Sequence, residues 1–330
     1  MSVAVVVNLR AGRGSHRLAN IARARLPNAR VAATRNVEDL RRFVDREIAP
    51  NPPGVLLSGG GDGTAIGLLD ELLARNIALP TLGLLPLGTG NAWAHAVQAP
   101  SAEQAIGRLA RLAGQAPPVS RFGLVELEGR VTPFAGTGWD AELLADYRLL
   151  MDTLSPRVFA ATKGVLGYMA ALFGKTAPRQ LSRHNPANVR LINTGAPAMT
   201  VDADGRVVPV IGGETGKVLY EGPYGVAGIG TSTDLGFGFR ALHFARLLPH
   251  RMHVRIYSAT PAEATRNMYP LWKGVHPLPH SHDFLLDACR MEFDREVPVE
   301  IGGDLVGQRR ELDARLSRET VALVDWSKLS

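Results

Sequence analysis

The sequence predicts an α/β domain with a parallel sheet, followed by a second, mainly β-sandwich domain. Residues 1–118 alternate short apolar, β-branched runs with helix-like stretches, the pattern of a parallel sheet covered by helices. Two of those runs end in glycine-rich turns, Leu56-Leu57-Ser58-Gly59-Gly60-Gly61-Asp62-Gly63-Thr64 and Leu84-Leu85-Pro86-Leu87-Gly88-Thr89-Gly90-Asn91. After Gln115-Ala116-Pro117-Pro118 the character changes to short alternating strands separated by glycine and proline turns. The chain therefore divides at 118/119 into a nucleotide domain, 1–118, and a second domain, 119–330, whose last strand is able to return to the first.

Val3 to Val7 predicts a first strand over Ser2–Asn8. It ends in Asn8-Leu9-Arg10-Ala11-Gly12-Arg13-Gly14-Ser15, a turn in which Ser15 caps a helix from about His16 to Leu26. A strand near Ala29–Thr34 and a helix over Val37–Ile48 follow, and Asn51-Pro52-Pro53-Gly54 turns the chain before the first glycine-rich strand end. A helix over Ala65–Arg75, a strand over Thr81–Leu85 and helices from Ala92 and Ala102 complete the series. Ligands of such a sheet sit at the carboxyl ends of its strands. In the second half, strands are expected at Arg121–Leu127, Ala187–Asn193, Thr200–Val201, Val207–Ile211, Met252–Tyr257, Cys289–Phe293, Val297–Ile301 and Thr320–Asp325. A helical insertion over about 141–173 interrupts them. Its segment Val158–Phe173 is apolar on most faces, which suits core packing or a lid over an acyl chain.

The tandem turns carry the chemistry. Glycines let backbone N–H groups approach an anion, the helix start behind them adds a favourable dipole, and Thr64 and Thr89 add hydroxyl donors. One such turn is as often a plain strand-to-helix connection. Two in tandem make Gly60, Gly61, Asp62, Gly63, Thr64, Gly88, Thr89, Gly90 and Asn91 a candidate phosphate cradle. Asp62 would repel phosphate on its own, so a magnesium ion is expected with it, bound directly or through water. Arg10 or Arg13 could face the phosphates, although solvated arginines at a helix start are common.

Gly60-Gly61-Asp62-Gly63-Thr64, then Pro86-Leu87-Gly88-Thr89-Gly90-Asn91, then Gly136-Thr137-Gly138-Trp139-Asp140-Ala141 resemble, in order and spacing, three signatures of the soluble diacylglycerol and sphingolipid kinases, bacterial lipid kinases included. The resemblance runs from Asn8 to about Val324. Its first motif is shared with NAD kinases and phosphofructokinases, whose nucleotide domain is similar. The resemblance implies ATP and Mg2+ as cofactors and a lipid alcohol of diacylglycerol, ceramide or sphingoid type as acceptor. It places Asn8, Gly12 and Thr34 beside the nucleotide, with Leu9 where the family has proline. Asp304, in Val299-Glu300-Ile301-Gly302-Gly303-Asp304-Leu305-Val306-Gly307, falls on the acid that accepts the hydroxyl proton in the family's Asp-Gly-Glu segment; by position alone it reads as a hairpin aspartate. Asp62 is the second catalytic candidate. Asp140 is the substrate-side candidate, expected to line a cleft between the domains, with a helix N-cap as its ordinary alternative.

The chain departs from the family at four places. Gly302 stands where that segment has its first carboxylate, Ile66 and Gly67 replace a frequent Asn-Glu pair, and Ala92 replaces the aspartate usual in diacylglycerol kinases. Leu248-Pro249-His250 replaces an Asp-Asp-Gly turn that binds an accessory magnesium in some bacterial members, so that metal site is expected to be absent.

Composition narrows the alternatives. The chain has 330 residues, a net charge of +6 and one cysteine, Cys289, so it holds no intrachain disulfide, and a cytoplasmic enzyme is the default. No apolar run is long enough to span a bilayer, and the first residues lack the features of a signal peptide. The basic charge suits phosphate substrates and a peripheral membrane surface, and no nucleic-acid recognition signature accompanies it; a homodimer is allowed. Gly136-x-Gly138-x-x-Ala141 lacks the acidic residue of a dinucleotide site, and His276, His280 and His282 read as a solvent-exposed loop. An NAD kinase-like enzyme and a nucleotide-binding regulatory pseudokinase are the remaining readings.

Overall fold

The computed structural model describes residues 1–153, 165–181, 186–235 and 239–329, so the Val158–Gly164 part of the apolar segment lies outside the described residues. The chain forms two compact units. The first comprises residues 1–122 and 319–330, the second residues 123–318.

The first unit begins with β1 (Val3–Asn8), α1 (His16–Arg25), β2 (Arg30–Thr34) and α2 (Val37–Phe43). It continues with β3 (Val55–Gly60), α3 (Asp62–Leu73), β4 (Thr81–Pro86), α4 (Ala92–Ala96) and α5 (Ala102–Arg111). The four strands run parallel in the order β2-β1-β3-β4. Their registers place Thr34 beside Asn8, Gly59 beside Val7 and Leu85 beside Gly59, so the strands end together at one edge. The expected cap forms at Ser15, whose Oγ accepts the N–H of Leu18 (3.3 Å); Asn36 Oδ1 also accepts the N–H of Asp39 (2.8 Å), and Ser101 with Gln104 makes a capping box.

The predicted boundary at 118/119 falls at the start of β5 (Val119–Leu127), and the unit boundary lies at 122/123. The four extra residues stay with the first unit because Phe122 is buried there edge-on to Trp93, with ring centroids 6.4 Å apart. The chain also comes back to this unit at its end. Leu323 pairs in parallel with Leu82, Trp326 is fully buried, and Arg108 donates to the carbonyls of Trp326 (3.2 Å) and Leu329 (2.7 Å).

The second unit is largely β. It contains β6 (Arg130–Thr132), β7 (Phe134–Gly138), α6 (Trp139–Thr153), β8 (Asn188–Asn193), β9 (Met199–Val201), β10 (Val207–Pro209), β11 (Val218–Pro223), β12 (Val226–Gly230), β13 (Met252–Tyr257), β14 (Ser281–Leu286), β15 (Ala288–Ile301) and most of β16 (Asp304–Val324). Antiparallel pairing runs β10-β9-β14-β13-β12-β7-β15-β16. The segments expected at Cys289–Phe293 and Val297–Ile301 are one strand, broken in register between Glu292 and Val297. Its first half pairs with β8 and its second with β7, so beside β16 one strand serves two further neighbours, as corner strands of packed sheets do. Inward side chains such as Leu127, Ala135, Leu191, Ile229, Val254, Met291 and Leu312 form its core. The histidine segment departs from expectation: His282 belongs to β14, where it pairs with Ile256. Among the described residues no helix is long and apolar enough to cross a membrane.

Candidate functional site

In the first unit the three loops that follow β1, β3 and β4 are tied to one another at the carboxyl edge of the sheet. Gly60 C=O accepts the N–H groups of Leu87 (2.9 Å) and Gly88 (3.1 Å), and Leu87 C=O accepts that of Arg13 (3.0 Å). Glycine is required where the turns touch: a Cβ on Gly88 would lie 2.4 Å from Gly61 Cα, and one on Gly60 would lie 2.2 Å from Thr64 Oγ1. Asn8 Nδ2 donates to Thr64 Oγ1 (3.0 Å), while its Oδ1 accepts the N–H of Arg10 (2.9 Å). Thr34 is buried at the end of β2, and its carbonyl accepts the N–H of Leu9 (2.8 Å). Asn91 is buried in the left-handed conformation and closes the second turn on itself, with Oδ1 taking the Gly88 N–H (3.0 Å) and Nδ2 giving to the Gly88 carbonyl (2.7 Å).

Asp62 joins the two motifs. Its Oδ2 accepts the N–H of Ala92 and its Oδ1 that of Trp93, both at 2.9 Å, so its carboxylate caps α4 from the first turn of α3. Burial pushes this carboxyl above the usual aspartate range, against the pull of the Trp93 and Ala92 amides and of nearby His95. Ala92, which departs from the family's aspartate, offers its backbone here. The other expected residues, Gly61, Gly63, Thr89 and Gly90, lie in the same two turns, and Arg10 and Gly12 are exposed in the loop after β1. The N-terminus of α3, a helix of twelve residues, thus opens onto a glycine-walled edge that suits phosphate oxygens.

The second unit holds Asp140 and Asp304. Each residue of Gly136-Thr137-Gly138-Trp139-Asp140 has a visible reason. A Cβ on Gly136 would lie 2.3 Å from Asp140 Oδ2, and one on Gly138, which has φ +96°, would lie 2.2 Å from the carbonyl of Gly225. Thr137 Oγ1 donates to the Pro298 carbonyl (2.7 Å), and Trp139 N–H to the Gly225 carbonyl (2.8 Å). Asp140 Oδ1 accepts the N–H of Ala141 (2.8 Å), whereas Oδ2 is buried without a hydrogen-bond partner. Burial raises the Asp140 carboxyl to about 7, the Ala141 amide opposes the rise, and Glu142 adds to it.

Asp304 sits directly after Gly302 (φ +57°) and Gly303 (φ +84°), the two-glycine turn joining β15 to β16, with Ile301 paired opposite Asp304. It is half exposed, and Arg148 of α6 donates to its Oδ1 (2.7 Å) and to the Gly303 carbonyl (3.0 Å). Arg148 carried no motif, and only the fold reveals it. A cavity of about 920 Å³ opens in this unit, with Trp139, Pro223, Tyr224 and Val297 on its walls and Arg179 and Arg295 among its charged groups. Asp140 does not line it, although its helix neighbours Trp139 and Glu142 do. Glu142 and Asp146 both take hydrogen bonds from Arg179, which closes one wall.

No group of three or more histidine, cysteine or acidic side chains able to hold a metal occurs among the described residues. Leu248, Pro249 and His250 lie in a turn.

Residues 2–120 match the diacylglycerol kinase catalytic domain family. A diacylglycerol kinase from Bacillus anthracis str. Sterne superposes with a TM-score of 0.61 at 15% identity, covering 98% of this chain and 96% of that one. A second structure from the same strain, a diacylglycerol kinase by assignment, gives a TM-score of 0.67 at 16% identity, covering 98% and 95%. An NAD kinase from Archaeoglobus fulgidus in complex with ATP gives 0.50 at 12% identity, covering 98% and 93%. At such identities the structures speak for the fold, and none of the curated proteins matches the sequence. The family match and the braced glycine turns coincide in the first unit: over residues 2–120 the chain is similar to the diacylglycerol kinase catalytic domain.

Proposed function

We propose that the protein is an ATP-dependent lipid kinase that transfers the γ-phosphoryl group to the hydroxyl of a lipid alcohol of diacylglycerol, ceramide or sphingoid type. The observation that carries this reading is the pair of glycine turns held edge to edge by the Gly60 carbonyl and by Asp62. Such an edge presents backbone donors to a polyphosphate without side chains in the way, and phosphoryl transfer asks mainly for alignment and charge neutralisation. Unit 1 takes the donor and unit 2 the acceptor, whose apolar part suits the walls of the 920 Å³ cavity. A magnesium ion that arrives with the nucleotide needs few protein ligands. Asp62 is the carboxylate that would hold it, and the ion would neutralise charge on the phosphates.

Asp304 accepts the proton of the attacking hydroxyl, for which a carboxylate within hydrogen-bond reach is sufficient. A lipid acceptor calls for a cytoplasmic protein that visits membrane surfaces, and the net charge of +6 favours anionic ones. Asp304→Asn keeps size and hydrogen bonding but cannot take the proton. It should lower kcat by roughly two to four orders of magnitude while ATP affinity, measured by calorimetry, stays at the wild-type value. Near-normal turnover in this variant would make Asp304 a turn residue only.

A further inference from the structure

The turn that carries Asp304 is held at both of its polar atoms. Gly302 and Gly303 both have positive φ, and two adjacent glycines leave a hairpin tip with much conformational freedom. Arg148 takes the Gly303 carbonyl at 3.0 Å and Asp304 Oδ1 at 2.7 Å. The opposite side of the same residue is held by Glu300, whose Oε2 accepts the Gly303 N–H at 2.7 Å.

Glu300 is an unusual choice for so simple a contact. It is only 6% exposed, and a buried carboxylate costs more free energy than a solvated one. Its other oxygen faces the third glycine motif: a Cβ on Gly136 would lie 3.3 Å from Glu300 Oε1 and 2.3 Å from Asp140 Oδ2. Glycine at 136 therefore makes room for two carboxylates, one from β15 and one from the start of α6. The Glu300 side chain thus reaches from the hairpin tip to the space beside Gly136 that the Asp140 carboxylate also borders.

We propose that Glu300 is a positioning residue that, through the Gly303 amide, holds Asp304 where it meets the acceptor hydroxyl. The proposal rests on the reading of Asp304 as proton acceptor. Glu300 itself touches neither nucleotide nor lipid in this role; it acts through the Gly303 amide.

The test compares Glu300→Ala, Glu300→Asp and Glu300→Gln in the full chain, with diacylglycerol, ceramide and sphingosine in mixed micelles as acceptors and Asp304→Asn run in parallel. Glu300→Gln keeps an acceptor oxygen at the same reach, so it should hold kcat within about fivefold of wild type. Glu300→Ala and Glu300→Asp, which lose or shorten that reach, should lower kcat by up to ~10²-fold, the penalty of a misplacement near 1 Å, with KM for ATP unchanged. Amide exchange followed by NMR gives a readout independent of turnover: the Gly303 N–H should exchange faster in the Ala and Asp variants and at the wild-type rate in the Gln variant.

If Asp304→Asn is inactive while Glu300→Ala and Glu300→Asp turn over normally, the role of Glu300 is overturned and that of Asp304 stands. If Asp304→Asn turns over normally, both fail. Unchanged Gly303 exchange in Glu300→Ala also overturns the proposal, and so does a wild-type chain that phosphorylates none of these lipid alcohols.

Discussion

At Asp62 both carboxylate oxygens are taken by the N–H groups of Ala92 and Trp93, so the side chain holds α4 in place whatever else it binds. Asp62→Ala should therefore lose turnover and also destabilise the first unit, by roughly 2–4 kcal/mol for two charge-assisted hydrogen bonds, read as a fall in its melting temperature. A variant that melts like wild type would show that these contacts carry no weight. Asp140 gives a prediction with a definite sign. Its carboxyl is raised by burial to about 7 in the folded chain, so the folded state binds the proton more tightly than the unfolded one. Stability from this group is thus lost as pH rises from the ordinary aspartate range towards 7, and the loss is complete above it. Asp140→Asn removes the titration. Its melting temperature should match wild type near pH 4 and exceed it at pH 8; equal curves at both values would mean that the carboxyl is not raised.

Among the elements, those that depend on local signals were legible in the sequence. The β-branched run of β1, the serine and asparagine caps of α1 and α2, and the two glycine-ended strands β3 and β4 all lie where residue pattern places them. Several strands, β11 and β14 among them, escaped notice, and for two others the reason is that their residues serve contacts elsewhere. β7 and β12 are rich in glycine, which lowers strand propensity, because Gly136 and Gly138 in one and Gly230 in the other admit close neighbours that no Cβ would allow. Arg148 was invisible for a related reason, because its partner Asp304 lies far away in sequence; Glu300 is only three residues from its partner Gly303, yet its residue type alone gives no sign of that contact. The turns of β3 and β4 allow a direct check on the cradle. Gly88→Val would drive a side chain into Gly61, whose Cα lies 2.4 Å from the position of the added Cβ. ATP affinity should fall at least about tenfold, by calorimetry, in a protein that retains its helical and sheet signals. Wild-type affinity in the folded variant would mark the turn as a plain connection.

For the whole molecule, the sequence break falls after Pro118 and leaves the last strand able to return; the units divide at 122/123, and residues 319–330 lie with the first. Residues 319–330 complete the first unit because Val321, Leu323, Val324 and Trp326 are fully buried there, a fact that depends on partners some two hundred residues away in sequence. Burial of each is worth roughly 1.5–3 kcal/mol, so together they rival the 5–15 kcal/mol that typically keeps a domain folded. A chain ending at Arg318 should leave the first unit open to limited proteolysis and unable to bind ATP; a protease-resistant, ATP-binding truncation would contradict this role. The central claim concerns the activity of the complete chain and is tested most directly by the fate of the γ-phosphate. Incubated with γ-labelled ATP, magnesium and micelles of diacylglycerol, ceramide and sphingosine, the protein should transfer label into an organic-soluble phospholipid, and Asp304→Asn should do so at least about a hundredfold more slowly. Label that appears only as inorganic phosphate, stays wholly in ATP, or moves to NAD in place of a lipid would contradict the account.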